Sequence, residues 1–120
     1  MSTIIYPFGV LPVETLAVDP DTANTYPATI NQDCILFVKG TALAAASTVT
    51  LTARSNLRAG ITVVIRWLSD GTARAVTIKP LIHANGQAFA GTLSKQSSVT
   101  LIYNGTSFIP ISYLQSIDVA

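Results

Sequence analysis

The stretch Ile61-Thr62-Val63-Val64-Ile65-Arg66-Trp67-Leu68-Ser69-Asp70-Gly71-Thr72-Ala73-Arg74-Ala75-Val76-Thr77-Ile78 sets the fold class. Two β-rich runs flank Asp-Gly, a pair favoured in tight hairpins because both central residues of a type I′ turn need φ > 0. A two-residue loop at Asp70-Gly71 predicts Ser69 opposite Thr72, and the register follows by counting. Val63 then meets Ile78, Ile65 meets Val76 and Trp67 meets Arg74, all on one face of a sheet.

The neighbouring segments carry the same signature. Residues 48–53, Thr-Val-Thr-Leu-Thr-Ala, alternate strictly, which points Val49, Leu51 and Ala53 inward and three threonines outward. Cys34-Ile35-Leu36-Phe37-Val38-Lys39 is a continuous apolar run closed by Gly40, as expected of a strand covered on both faces. Leu43-Ala44-Ala45-Ala46 is the one helical fragment, about a single turn and far below the ~12 residues an isolated helix needs. Near the end, Ser98 to Tyr103 and Thr106 to Ile111 flank Asn104-Gly105, a second hairpin signal. A two-residue loop there sets Leu101 opposite Phe108 and Val99 opposite Pro110, leaving Ile102, Ile109 and Ile111 on the other face. Both faces of this hairpin are apolar, so these three isoleucines are candidates for a subunit interface.

The first 30 residues differ in texture. Pro7, Pro12, Pro20 and Pro27 forbid a long helix and disfavour a central strand. Ile4, Ile5, Tyr6, Phe8 and Leu11 are nevertheless too apolar for a solvated tail. The segment reads as an extended attachment arm lying on its own sheet or on a neighbouring subunit, or else as two short edge strands. The organisation expected is an arm over residues 1–30, a β domain over 31–113 and a tail over 114–120. Six to eight short strands with turns at this spacing make the chain all-β, with an antiparallel sandwich or jelly-roll-like arrangement expected. No internal repeat marks a solenoid.

Composition narrows the function. In 120 residues, 49% are hydrophobic and only 11% charged, against roughly 25% charged in ordinary soluble domains. Mean hydropathy is +0.48. A small domain has too much surface to hide that many apolar side chains, so the surplus is expected to meet a partner. No run approaches the about 20 apolar residues of a spanning helix, and insertion in a membrane is not expected. The start lacks the positive n-region of a secretory signal. Net charge is +1 without a basic cluster, which argues against nucleic acid as partner.

Candidate chemistry is sparse. His83 is the sole histidine and stands without a Gly-x-Ser-x-Gly elbow. Cys34 is the sole cysteine; inside an apolar run it reads as a buried, inert thiol. Glu14, Asp19, Asp21, Asp33, Asp70 and Asp118 are too scattered for a zinc site or an EF-hand loop, and no cofactor is expected. No nucleophile–base pair offers a start for catalysis, so the chain is not expected to be an enzyme. Trp67 and Arg74 are the one pair suited to a glycan, an indole beside a cation. Sharing a face with Val63 and Ile65, Trp67 reads more simply as packed inward under the Arg74 stem.

The order of these pieces is itself a pattern: Thr-Val-Thr-Leu-Thr-Ala at 48–53, Ser55-Asn56-Leu57-Arg58-Ala59-Gly60, the run from Ile61, the Asp70-Gly71-Thr72 turn, and Ser97 to Phe108 with its Asn-Gly turn. In this it resembles the small β domains of tailed-bacteriophage virion proteins, particularly fibre, decoration and receptor-binding subunits. The resemblance covers a little over half the chain and brings no catalytic residues. It implies a homotrimer located in the virion, in contact with capsid or tail proteins. Without an extended shaft, the chain resembles a head-fibre or capsid-decoration subunit; a tail-fibre module binding a host glycan or receptor is the alternative.

Overall fold

A computed structural model describes residues 12–81 and 86–117. Ile4, Ile5, Tyr6, Phe8 and Leu11, together with His83, Asn85 and Asp118, lie outside the described residues. Among the described residues nine strands follow in order: β1 (Val13–Leu16), β2 (Thr25–Ile30), β3 (Cys34–Leu43), β4 (Ser47–Ala53), β5 (Thr62–Ser69), β6 (Val76–Lys79), β7 (Gln87–Phe89), β8 (Gln96–Tyr103) and β9 (Phe108–Ile117). They form a five-stranded sheet, β1-β3-β5-β8-β9, and a four-stranded sheet, β2-β4-β6-β7.

The chain is all-β, as expected, but its sheets are mixed rather than antiparallel. From β1 to β6 each strand crosses to the opposite sheet, so β1, β3 and β5 stack in parallel, as do β2, β4 and β6. Val13, Ile35 and Val64 share one row, and Thr25, Thr48 and Thr77 share another. The chain thus winds three turns of a two-sheeted parallel coil, and β7, β8 and β9 close it with antiparallel pairs. The two sheets facing one core are sandwich-like, but the pairing from β1 to β6 is parallel where an antiparallel arrangement was expected. The turns are 22 and 29 residues long along the first row, too unequal to show as a sequence repeat.

Period-2 alternation delivers the core. Leu36 and Val38 from β3, Val63, Ile65 and Trp67 from β5, and Val99 and Leu101 from β8 face Ile30, Val49, Val76 and Ile78 of the other sheet in one buried cluster. Burying each such side chain contributes about 1.5–3 kcal/mol. The hydrogen-bonded strands satisfy the backbone groups that accompany them.

Three local expectations are corrected. Residues 12–30 do not lie over a sheet as an arm: β1 and β2 are edge strands of the two sheets, with Leu16, Tyr26, Ala28 and Ile30 buried. The alternative of two short edge strands describes this part. Leu43 closes β3 and Ala44 begins a bend, so no helical turn forms there. β9 continues to Ile117, well past the expected domain end at residue 113.

Candidate interaction surfaces

The corner after β5 explains why the Asp70-Gly71 hairpin does not form. The Asp70 carboxylate accepts from the Thr72 amide at 3.0 Å and takes a two-pronged ion pair from Arg74, Nε to Oδ1 at 2.9 Å and Nη2 to Oδ2 at 3.0 Å. Its pKa is lowered, chiefly by the Arg74 hydrogen bonds and then by the Thr72 amide. The Arg74 amide donates to Ser69 Oγ at 3.1 Å, and the chain passes over to β6 in the opposite sheet. Val63 and Ile65 therefore pair with Leu101 and Val99 of β8 rather than with Ile78 and Val76. Asp-Gly marks a change of direction here, but the polar side chains around it set the corner.

Trp67 is fully buried on the inner face with Val63 and Ile65. Its Nε1 donates to the Arg74 carbonyl at 3.1 Å, while the Arg74 guanidinium turns to Asp70. An indole with no exposed face cannot stack on a sugar, so Trp67 is withdrawn as a glycan contact and Arg74 loses the platform it was to flank. The cation–π pair lies elsewhere: Arg66 Cζ sits 4.5 Å from the Phe37 ring centroid.

Cys34 is buried, and its thiol pKa is pushed up to about 11, mainly by burial and secondarily by the charges of Glu14 and Asp33. Such a thiol is protonated at neutral pH and a poor nucleophile. Among the described residues, no group of three or more His, Cys, Asp or Glu is placed to hold a metal. A depression lined by Leu51, Pro80, Leu81 and Phe108 encloses about 120 Å³, below the ~300–1,000 Å³ of small-molecule sites.

What the fold does present is two unlike outer faces. On the four-stranded sheet, Thr25, Thr48 and Thr77 lie in one row, and Thr29 pairs with Thr52. Thr50 stands between Pro27 and Lys79. This face is a hydroxyl lattice that water can satisfy. On the five-stranded sheet, Ile35 pairs with Val64, Phe37 with Arg66 and Ile102 with Ile109, with Leu68 on the same face. These residues are half-buried within their own sheet. Thr62, Ser98, Thr100 and Gln96 alternate with them on β5 and β8, Lys39 is exposed on β3, and Arg66 brings a buried Nε without a hydrogen-bond partner.

The last hairpin forms, two residues out of the expected register. Tyr103 pairs with Phe108, Ile102 with Ile109 and Leu101 with Pro110. The loop has four residues because Asn104 Oδ1 accepts from both Thr106 and Ser107 amides, at 2.8 and 2.7 Å. A shift of two preserves the faces, so Ile102 and Ile109 lie together on the apolar outer side. Ile111 sits at a register shift, 55% exposed. Tyr113 and Leu114, absent from the candidate list drawn from the sequence, are 39% and 54% exposed. Their signal was an uncharged run continuing past residue 113, read there as a tail. Set against known proteins, the chain matches no family model and no curated protein.

Proposed function

We propose that the chain is a structural, non-catalytic subunit of a self-associating β assembly in a bacteriophage particle, of the head-fibre or capsid-decoration type. One observation carries the assembly part of this reading: the contrast between the two outer faces. The four-stranded sheet's outer face is mostly threonine, whereas the other sheet's carries Ile35, Phe37, Val64, Leu68, Ile102 and Ile109 between Thr62, Ser98, Thr100 and Gln96, a more apolar face that gains by being covered. With 11% charged residues the chain has little else to keep copies apart. Phage membership is supported by the resemblance of residues 48–111 to small virion β domains.

The outer face of the five-stranded sheet serves as the contact with other virion proteins or with further copies. Arg66, held over Phe37, supplies a charge to orient that contact. Mass spectrometry of purified particles that carry this gene is the test. Recovery of the chain at a fixed stoichiometry to the major capsid or tail protein supports the reading. Its absence from particles, with abundant free chain in the infected cell, refutes the virion part.

A further inference from the structure

Among the described residues, three of the four sheet edges are guarded. β1 has four residues and carries Glu14, β2 carries Pro27, and β7 has three residues. Short strands, charges and prolines are the usual devices that stop an edge from pairing with another chain. β9 is different. It runs ten residues along the edge of the five-stranded sheet without one charged side chain; Pro110 blocks its first part, and register shifts against β8 fall at Ile111 and between Leu114 and Ile117. Three of the exposed large hydrophobics, Ile111, Tyr113 and Leu114, stand on it.

The free part of β9 also matches itself in reverse. Residues 111–117 read Ile-Ser-Tyr-Leu-Gln-Ser-Ile, a near palindrome about Leu114. We infer that β9 pairs edge to edge, antiparallel, with β9 of a second copy about a two-fold axis at Leu114. Ile111 then meets Ile117 of the partner subunit, Ser112 meets Ser116 of the partner subunit, Tyr113 meets Gln115 of the partner subunit, and the two Leu114 side chains meet on the axis. Ile–Ile and Leu–Leu pairs are apolar, the Ser–Ser pair is polar, only Tyr113 with Gln115 is mixed, and no like charges oppose, as a self-complementary interface requires.

The strand is already held in shape for this role. The Gln115 carbonyl is engaged on the inner side by Ser97 Oγ at 2.6 Å, and the Tyr113 hydroxyl donates to the Ala90 carbonyl. The Tyr113 ring packs edge-on against Phe89 at 5.3 Å. Pairing merges two five-stranded sheets into one of ten strands and joins their outer faces. The inference rests on the self-associating reading and names its contact as two-fold, so it calls for an even number of copies rather than the homotrimer that the resemblance implies.

Cysteine cross-linking of the full chain tests it, because Cys34 is buried and a new thiol reports alone. Directly opposed antiparallel residues lie about 4.5–5.5 Å apart at Cα, within disulfide range. Leu114→Cys, oxidised with diamide, is expected to give a covalent dimer in high yield. Thr50→Cys on the threonine face should stay monomeric on a denaturing gel. A mixture of Ser112→Cys and Ser116→Cys should link, and either alone far less. Light scattering of the unmodified chain should give an even multiple of 12.6 kDa. Leu114→Lys should weaken association by about a hundredfold or more through like charges on the axis, with circular dichroism unchanged; if that variant unfolds, the cross-links decide.

Linking at 114 no better than at 50 overturns the inference. A mass of three chains overturns the two-fold contact but leaves the assembly reading standing. A monomer at micromolar concentration overturns both.

Discussion

Gly91 lies so close to Trp67 that a Cβ placed on it would stand 2.9 Å from the indole Nε1. The same atom would be 2.5 Å from the Arg74 carbonyl oxygen and 2.7 Å from Ser69 Oγ. The loop before β8 therefore closes over the Trp67–Arg74 hydrogen bond only because residue 91 has no side chain. That contact ties the corner after β5 to the entry of β8.

Gly91→Ala is expected to force this corner apart. Overpacking of a rigid core costs about 1–3 kcal/mol, several degrees of Tm at this chain length. Trp67 is the only tryptophan, so its fluorescence should move to longer wavelength as the indole gains solvent. An unchanged spectrum and Tm would mean that the corner has slack to absorb a methyl group.

The two turn glycines should behave differently. Gly105 has φ +100°, where a β-branched side chain is strained, and Gly105→Val should cost roughly 1–2 kcal/mol. Gly71 has no positive φ and open space around it, so Gly71→Ala should leave the thermal melt within a degree or two. Equal losses at both sites would restore the hairpin at Asp70-Gly71.

Asp33 joins successive turns of the coil. Its Oδ1 accepts from the Thr62 amide at 2.8 Å, across 29 residues of chain. Asp33→Ala leaves that amide unpaired and should lower stability by about 1–3 kcal/mol. Asp33→Asn keeps an acceptor oxygen and should recover most of the loss in a urea melt. Equal destabilisation by both variants would assign the effect to charge instead.

The Cys34 thiol should react slowly with a disulfide reagent at pH 8 in native protein and quickly in denaturant. Its pKa is raised from 9.0 to about 11 on folding. Folding then favours the protonated thiol, so this group's contribution is present below pH 9 and is lost as pH rises through about 11. Fast modification of the native chain at pH 8 would show that the β1–β3 edge opens readily.

Much of the architecture is legible from alternation, since a period of two states which side chains face inward. Val49, Leu51, Val63, Ile65, Trp67, Val76, Ile78, Val99 and Leu101 are all buried where that pattern puts them. Alternation does not say which strand lies alongside. A parallel partner stands a full coil turn away with no turn chemistry to announce it, so counting from Asp70-Gly71 pairs Val63 with the nearest run rather than with Cys34 and Leu101, its actual neighbours. The Asp33–Thr62 link has no local signal at all. The candidate surface was half legible. Ile102 and Ile109 could be placed on a second apolar face, whereas the significance of residues 111–117 depends on β9 being an edge, which only the assembled sheet reveals.

The claim that this chain is a subunit built to associate with itself is tested most directly by light scattering of the purified 120-residue chain across a micromolar dilution series. The account predicts a discrete assembly at a whole multiple of 12.6 kDa, persisting at moderate salt because the contact is apolar. A well-folded monomer throughout the series would contradict it.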